Sequence, residues 1–298
     1  MTAPATSRGL PAGVALALTA SLSNQGGASA GALAMDSLGA PGVVAVRQVV
    51  AALALNAVAR PRWRTLDRRT WLLVVALAAV MGTMNVTLFA AIDRIGLGLA
   101  VTCEFLGPLA VAVGSSRRLV DAVAAVLAAL GVVVLVRPGP SSDVVGIALA
   151  LVAAAMWAGY ILLNRALGPR LPGLGGATAA TSVLALTWSL PALVVTLVAD
   201  PPWQAVALAV VCGVLSSAVP YAADLSALRL LPASLFSTLA SANPVWAFAA
   251  GALVLHQQVE AHELVGALLV VVANAMATLR WRRPSALRRR RAAPAPSR

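Results

Sequence analysis

Lysine is absent from this chain of 298 residues, and every basic residue is an arginine. Charge of either sign is scarce: Asp, Glu and Arg together make up 11%, against roughly 25% in soluble domains. Water-facing surface on that scale cannot cover a globule, so a soluble fold is excluded. Two cysteines, Cys103 and Cys212, sit inside apolar blocks with neither metal-ligand spacing nor a disulfide pattern, and read as small buried apolar side chains. The two histidines, His256 and His262, lack ligand spacing such as HExxH, and no nucleophile motif or phosphate-cradling Walker A loop occurs. These gaps leave no catalytic constellation, no expected metal or cofactor, and no bound ATP to drive work.

What is present is apolar bulk. Ala, Val and Leu dominate, 60% of residues are hydrophobic and the mean hydropathy is +0.89. A hydrocarbon core about 30 Å thick takes about 20 helical residues, and the chain offers ten such blocks, near 14–35, 42–59, 70–91, 96–113, 120–136, 144–163, 177–199, 203–225, 234–255 and 263–280. The blocks do not alternate as barrel strands do, so each predicts a helix that satisfies its backbone inside lipid. The first block lacks a strongly basic leader and is interrupted at 23–27, which predicts a retained helix rather than a signal peptide.

The net charge of +12 does not indicate nucleic acid. The arginines occupy short gaps and the tail, with no basic face interleaved with aromatics. Instead they orient the bundle. With the N-terminus inside, the cytoplasmic side collects Arg8, Arg60, Arg62, Arg64, Arg68, Arg69, Arg117, Arg118, Arg165, Arg170, Arg229 and the tail from Arg280 to Arg298. The far side receives only Arg94 and Arg137, together with Asp36, Asp93, Asp143, Asp200 and Glu260. The arginine bias of short loops therefore predicts both termini in the cytoplasm. The polar, Pro-rich tail at 282–298 is expected to be disordered, anchoring the topology or touching anionic headgroups.

The chain also copies itself. Gly13 to Leu18 (GVALAL) resembles Gly146 to Leu151 (GIALAL). Asn85 to Ile92 aligns with Tyr221 to Leu228, each followed by a span with a central proline, Pro108 or Pro244. Five spans per half is an odd number, so the second half must be inverted relative to the first. Inverted repeats of this kind build transporters with a site near the midplane. The expected architecture is an all-α integral membrane protein of ten transmembrane helices as two inverted five-helix repeats, 1–139 and 140–281.

Several stretches carry a family likeness: Asn24 to Ser29 (NQGGAS), Gly39 to Gly42 with Arg47, Met84-Asn85, and Glu104 to Ala112 (EFLGPLAVA) closed by Ser115 to Arg118 (SSRR). In the second half they are Trp157 to Leu162 (WAGYIL), Leu215 to Tyr221 (LSSAVPY) and Leu228 to Pro232. The chain resembles the drug/metabolite transporter superfamily in its EamA-type ten-helix branch, and most closely the bacterial threonine/homoserine exporters. That resemblance implies inner-membrane efflux of small amino acids or related metabolites, with protons as a possible coupling partner; drugs or purines are the alternative cargo. A membrane-embedded enzyme, the remaining alternative, would need a cluster of His, Asp or Glu at one membrane face, and the sequence has none. The subgroup tends to carry an acidic residue where Asn243 stands here, and Gly-Glu in place of His256-Gln257.

Glu104 lies about eight residues into the fourth block, where a carboxylate costs at least about 2.5–3.5 kcal/mol. It is expected either to bind a substrate ammonium or carry a proton, or to be a protonated carboxyl bonded to a neighbouring helix. Arg47 is the opposite charge, holding a substrate carboxylate or neutralising Glu104, or else snorkelling to the interface. Asp224 reads as a helix-end partner of Arg229 or as a coupling site. Asn24, Gln25, Asn85, Trp157, Tyr160, Tyr221, Ser241 and Asn243 complete a candidate lining, each alone being as compatible with a helix–helix hydrogen bond. Pro108, Pro220 and Pro244 either kink their helices or free carbonyls toward a cavity.

Overall fold

The computed structural model describes residues 10–59, 66–115, 119–137, 142–171 and 173–280. Arg8, Arg60, Arg62, Arg64, Arg117, Arg118 and the tail at 282–298 lie outside the described residues, and with them much of the basic set that orients the chain. Among the described residues every regular element is helical.

Helix α1 spans Leu10–Val58, 49 residues. A straight rod of that length would measure about 74 Å, more than twice the hydrocarbon core. It bends at Gly39, where φ 63° and ψ 165° define a backbone state open essentially to glycine alone, and Pro41 follows without an N–H to restore the ladder. Asn24 and Arg47 would stand about 35 Å apart on a straight helix. Both nevertheless bond to Ser216, so the rod doubles back. The first two expected spans thus form one hairpin whose turn is reduced to a single non-helical residue.

The remaining elements are α2 (Arg68–Ile95), α3 (Leu97–Glu104), α4 (Leu106–Gly114), α5 (Leu119–Val136), α6 (Val144–Leu167), α7 (Gly175–Leu184), α8 (Leu190–Val198), α9 (Trp203–Gly213), α10 (Val219–Leu230), α11 (Ala233–Ala240), α12 (Asn243–Val254) and α13 (Ala261–Arg280). Wide π turns at Ala185–Ser189 and Val214–Ala218 splice α7 to α8 and α9 to α10. Counting spliced segments as single rods, seven among the described residues are long and apolar enough to cross a membrane; Thr238–Val254 and Ala261–Ala277 are apolar but shorter.

Proline explains where the rods break. Pro108, Pro191, Pro220 and Pro244 each lack the N–H that would bond the carbonyl four residues earlier, namely Glu104, Thr187, Ser216 and Ala240. The interruptions at Phe105, Ala185–Ser189, Val214–Ala218 and Ser241–Ala242 contain or adjoin those four carbonyls. Span boundaries shift as well: Asp93 and Arg94, expected in a loop, occupy the last turn of α2.

Packing is reciprocal. Helix α2 lies on α6 as α1 lies on α9 and α10, while α3 meets α12 and α5 meets α13. The α5–α13 seam is tight: a Cβ on Gly266 would stand 2.5 Å from the Gly131 carbonyl oxygen and 2.6 Å from the Leu135 nitrogen. Small residues let membrane helices approach this closely. Gly266→Leu should overpack the seam and destabilise the fold by about 1–3 kcal/mol, seen as a lower melting temperature in detergent; an unchanged melting temperature would contradict this contact. Side chains such as Leu119, Val198 and Leu253, each more than three-quarters exposed, belong against lipid.

At the end of the bundle marked by Gly39, two ion pairs tie distant segments. Arg94 Nε lies 2.9 Å from Asp143 Oδ2, and Arg137 Nη1 lies 3.9 Å from Glu260 Oε2, with His262 Nδ1 3.1 Å from the same oxygen. The two arginines expected on the far side are therefore both neutralised. Asp143 also caps α6, accepting from the Gly146 N–H; that bond, helped by Arg94, holds its carboxyl below the usual range. A depressed folded-state pKa gives stability that is complete above the unfolded value of about 3.9 and vanishes as pH falls through the folded value. Asp143→Asn should therefore melt below the parent at pH 7, with the gap closing as acid titrates the parent carboxylate; a gap that stayed constant to pH 3 would exclude this account.

Candidate functional site

One cavity of about 700 Å³ opens between the helices, within the range of small-molecule sites. Helix α1 contributes Ala17 to Ala28 from its first limb and Arg47 to Ala51 from its second, while the turn at Gly39 does not reach it. Beyond the cavity, on the Gly39 side, Ala34, Met35, Leu38, Val43, Val44, Ile92 and Leu97 pack into a closed apolar core.

Ten of the eleven expected residues line this space: Asn24, Gln25, Arg47, Asn85, Glu104, Trp157, Tyr160, Asp224, Ser241 and Asn243. Tyr221 lies on α10 beside the lining residue Pro220, and its side chain lies outside the described residues. Sequence reasoning passed over Gln48, Thr181, Ser216, Ser217 and Asn274, which also line the cavity. For Ser216 a signal existed, since it stands four residues before Pro220 and its carbonyl is one of those left free.

Arg47 neither pairs with Glu104 nor snorkels. Its Nη1 donates to Asn85 Oδ1, and its Nη2 donates to the Ser216 carbonyl at 3.4 Å. Asn85 is fixed for this task because its Nδ2 donates to the Met81 carbonyl at 2.7 Å. The guanidinium also lies 5.8 Å from the centre of the Phe89 ring, a cation–π distance. Its Nε is buried without a partner, and no carboxylate among the described residues reaches it as an ion pair.

The carboxylates likewise lack a directly bonded cation among the described residues, the Arg47 charge reaching Glu104 only through space. Glu104 is 7% exposed and makes no side-chain hydrogen bond or ion pair among the described residues. Asp224 corrects the sequence expectation: it lies inside α10 and on the cavity wall, not at a helix end, and no ion pair joins it to Arg229. Five residues of helix separate the two by about 140° around the axis, so they face different ways. Above Glu104, the Phe105 and Trp157 rings meet edge to face at 4.7 Å.

Two further contacts tie α1 to the π turn at Val214–Ala218. Ser23 Oγ donates to the Leu215 carbonyl at 2.7 Å, and Ser216 Oγ donates to the Asn24 carbonyl at 3.1 Å. Gly27 makes room, because a Cβ there would strike the Ser216 side chain. On the opposite wall, Gln25 Nε2 donates to Asn243 Oδ1 at 3.3 Å, and Asn243 Nδ2 donates to the Ala240 carbonyl at 3.0 Å. Among the described residues no group of three His, Cys, Asp or Glu side chains could hold a metal ion.

The geometry is that of a polar chamber inside an apolar bundle, and known proteins resemble the chain that builds it. Residues 144–279 match the EamA-like transporter family. The threonine/homoserine exporter RhtA of Escherichia coli K12 is 36% identical over 285 residues, covering 92% of this chain and 94% of that protein. The threonine/homoserine exporter RhtA of Salmonella typhimurium LT2 is 35% identical over 290 residues, covering 94% and 96%. A solved crystal structure, described only as that of a protein, superposes with a TM-score of 0.55 at 19% identity over 90% of this chain and 98% of the other; it shows the fold alone. The chain belongs to the EamA-like transporter family. It is a multi-pass membrane transporter, not an enzyme.

Proposed function

We propose that this protein exports small neutral amino acids, threonine and homoserine foremost, by alternating access between two inverted five-helix halves. One observation carries the reading. Among the described residues, a half-buried guanidinium with no directly paired carboxylate and two carboxylates with no directly paired cation line the same cavity, and make no ion pair with each other. A zwitterion supplies both missing charges. Its carboxylate would meet Arg47 as a fork, and its ammonium would meet Glu104 or Asp224. The names of the relatives support the same cargo.

Ten crossings follow when α1 counts twice and the shorter Thr238–Val254 and Ala261–Ala277 are included. The reciprocal packing, and breaks at matching distances before Pro108 and Pro244, support repeats at 1–139 and 140–281, with both termini in the cytoplasm. In that orientation the cavity faces the cytoplasm and the apolar core closes the outer side. Substrate then leaves when that core parts, with Glu104 as the group that accepts a proton in exchange for the ammonium.

The cavity's volume and its aromatic lining by Phe89, Phe105, Trp157, Tyr160 and Phe236 favour a second reading, a bulkier metabolite as cargo. Purified protein in vesicles preloaded with a panel of labelled amino acids, nucleobases and drugs decides between them. Saturable threonine and homoserine efflux is the expected result; flux of only the bulkier compounds would overturn it. Tags at the two chain ends, expected on the cytoplasmic face, test the inverted arrangement separately.

A further inference from the structure

Beyond the charges that hold a zwitterion, the cavity contains one neutral group whose orientation is forced. Pro244 has no N–H, so the Ala240 carbonyl lacks its helical donor. Asn243 Nδ2 fills that place at 3.0 Å. Committing the amide nitrogen there turns Asn243 Oδ1 the other way, where only a donor can face it. Gln25 meets that requirement with Nε2, at 3.3 Å. The relay leaves Gln25 Oε1 as an acceptor, and that atom is buried without any partner. Gln25 itself is 2% exposed and lines the cavity. A buried acceptor left empty is costly, and here a bonded chain anchored to a proline break keeps it from turning away.

We infer that Gln25 Oε1 reads the side-chain hydroxyl of the cargo and so separates hydroxyl amino acids from their apolar isosteres. The inference rests on the proposed amino-acid export. The ammonium is drawn to Glu104 and Asp224, because a charge-assisted bond outcompetes a neutral one. A neutral acceptor is then left for a neutral donor. A site built to bond a hydroxyl discriminates against the analogue lacking it, since that analogue strands the acceptor again. Threonine and valine differ in this way, a hydroxyl replacing a methyl at nearly constant shape.

The test is the ratio of threonine to valine efflux from vesicles containing the full-length protein. In the parent, threonine is favoured roughly tenfold to a hundredfold. Gln25→Met keeps the volume and removes the acceptor; the ratio falls to near one while valine flux persists, which also reports an intact transporter. Gln25→Asn keeps an amide with both donor and acceptor and retains part of the threonine preference. Equal losses for both amino acids in Gln25→Met, or a Gln25→Asn ratio as low as that of Gln25→Met, would overturn the role. Should Gln25→Met move neither compound, the Gln25→Asn ratio alone decides. A parent protein that moves no amino acid at all would instead overturn the export reading.

Discussion

Arg47→Met lowers threonine efflux by about two orders of magnitude. The substitution removes the cation that a substrate carboxylate must find in the chamber, and charge-assisted hydrogen bonds contribute about 1.5–3 kcal/mol each. Two of them, as a fork, account for at least about a hundredfold. The loss is expected mainly in the concentration needed for half-saturation, because the contact exists in the bound state. Arg47→Lys recovers little. A lysine presents one point charge and cannot donate to Asn85 and Ser216 while keeping a planar edge for the ligand. Initial rates across a threonine series would measure this, and a change of less than threefold would remove Arg47 from the site.

Glu104→Gln is the second large effect. The amide keeps the shape of the side chain and abolishes its negative charge. Because Glu104 has no bonded partner among the described residues, nothing else in the structure suffers from the change. Threonine efflux should fall by about a hundredfold, on the scale of a lost buried charge-to-charge contact. What remains should no longer respond to a pH gradient across the vesicle, since the group that binds the proton is gone. An unchanged rate in radiolabelled efflux would exclude Glu104 from the mechanism, and a reduced rate that kept its pH response would exclude only its proton role.

Much of this protein was legible before any coordinates, because lipid imposes a coarse code. Span positions follow from apolar block length, and an ionisable residue in mid-span draws attention whatever its neighbours. Glu104, Arg47 and the amides of α1 and α2 were visible for that reason. Arg47's actual partners were not, because Asn85 and the Ser216 carbonyl lie 38 and 169 positions away in the chain. Asp224 was misread for a simpler reason: the hydropathy window ended the span early, whereas the helix continues to Leu230. The doubling of α1 was half legible. Gly39 and Pro41 signal a break, but composition alone could not say that it would shrink to one residue. Gln25 could be flagged as polar, yet its free acceptor emerges only once Pro244, Ala240 and Asn243 are placed together.

The bend at Gly39 bears on how the chain enters the membrane. In the proposed orientation, Leu10–Val58 inserts as a preassembled pair of helices, and the part of that pair that must travel fully across is the short tip around the glycine. That tip carries Asp36 and no cation before Arg47, so nothing in it resists translocation under the arginine rule. Arg47 itself comes to rest against Asn85, on a helix made later. The nascent hairpin must therefore keep a charged side chain waiting in lipid until α2 arrives, which makes α2 the escort as well as the neighbour of the first two crossings.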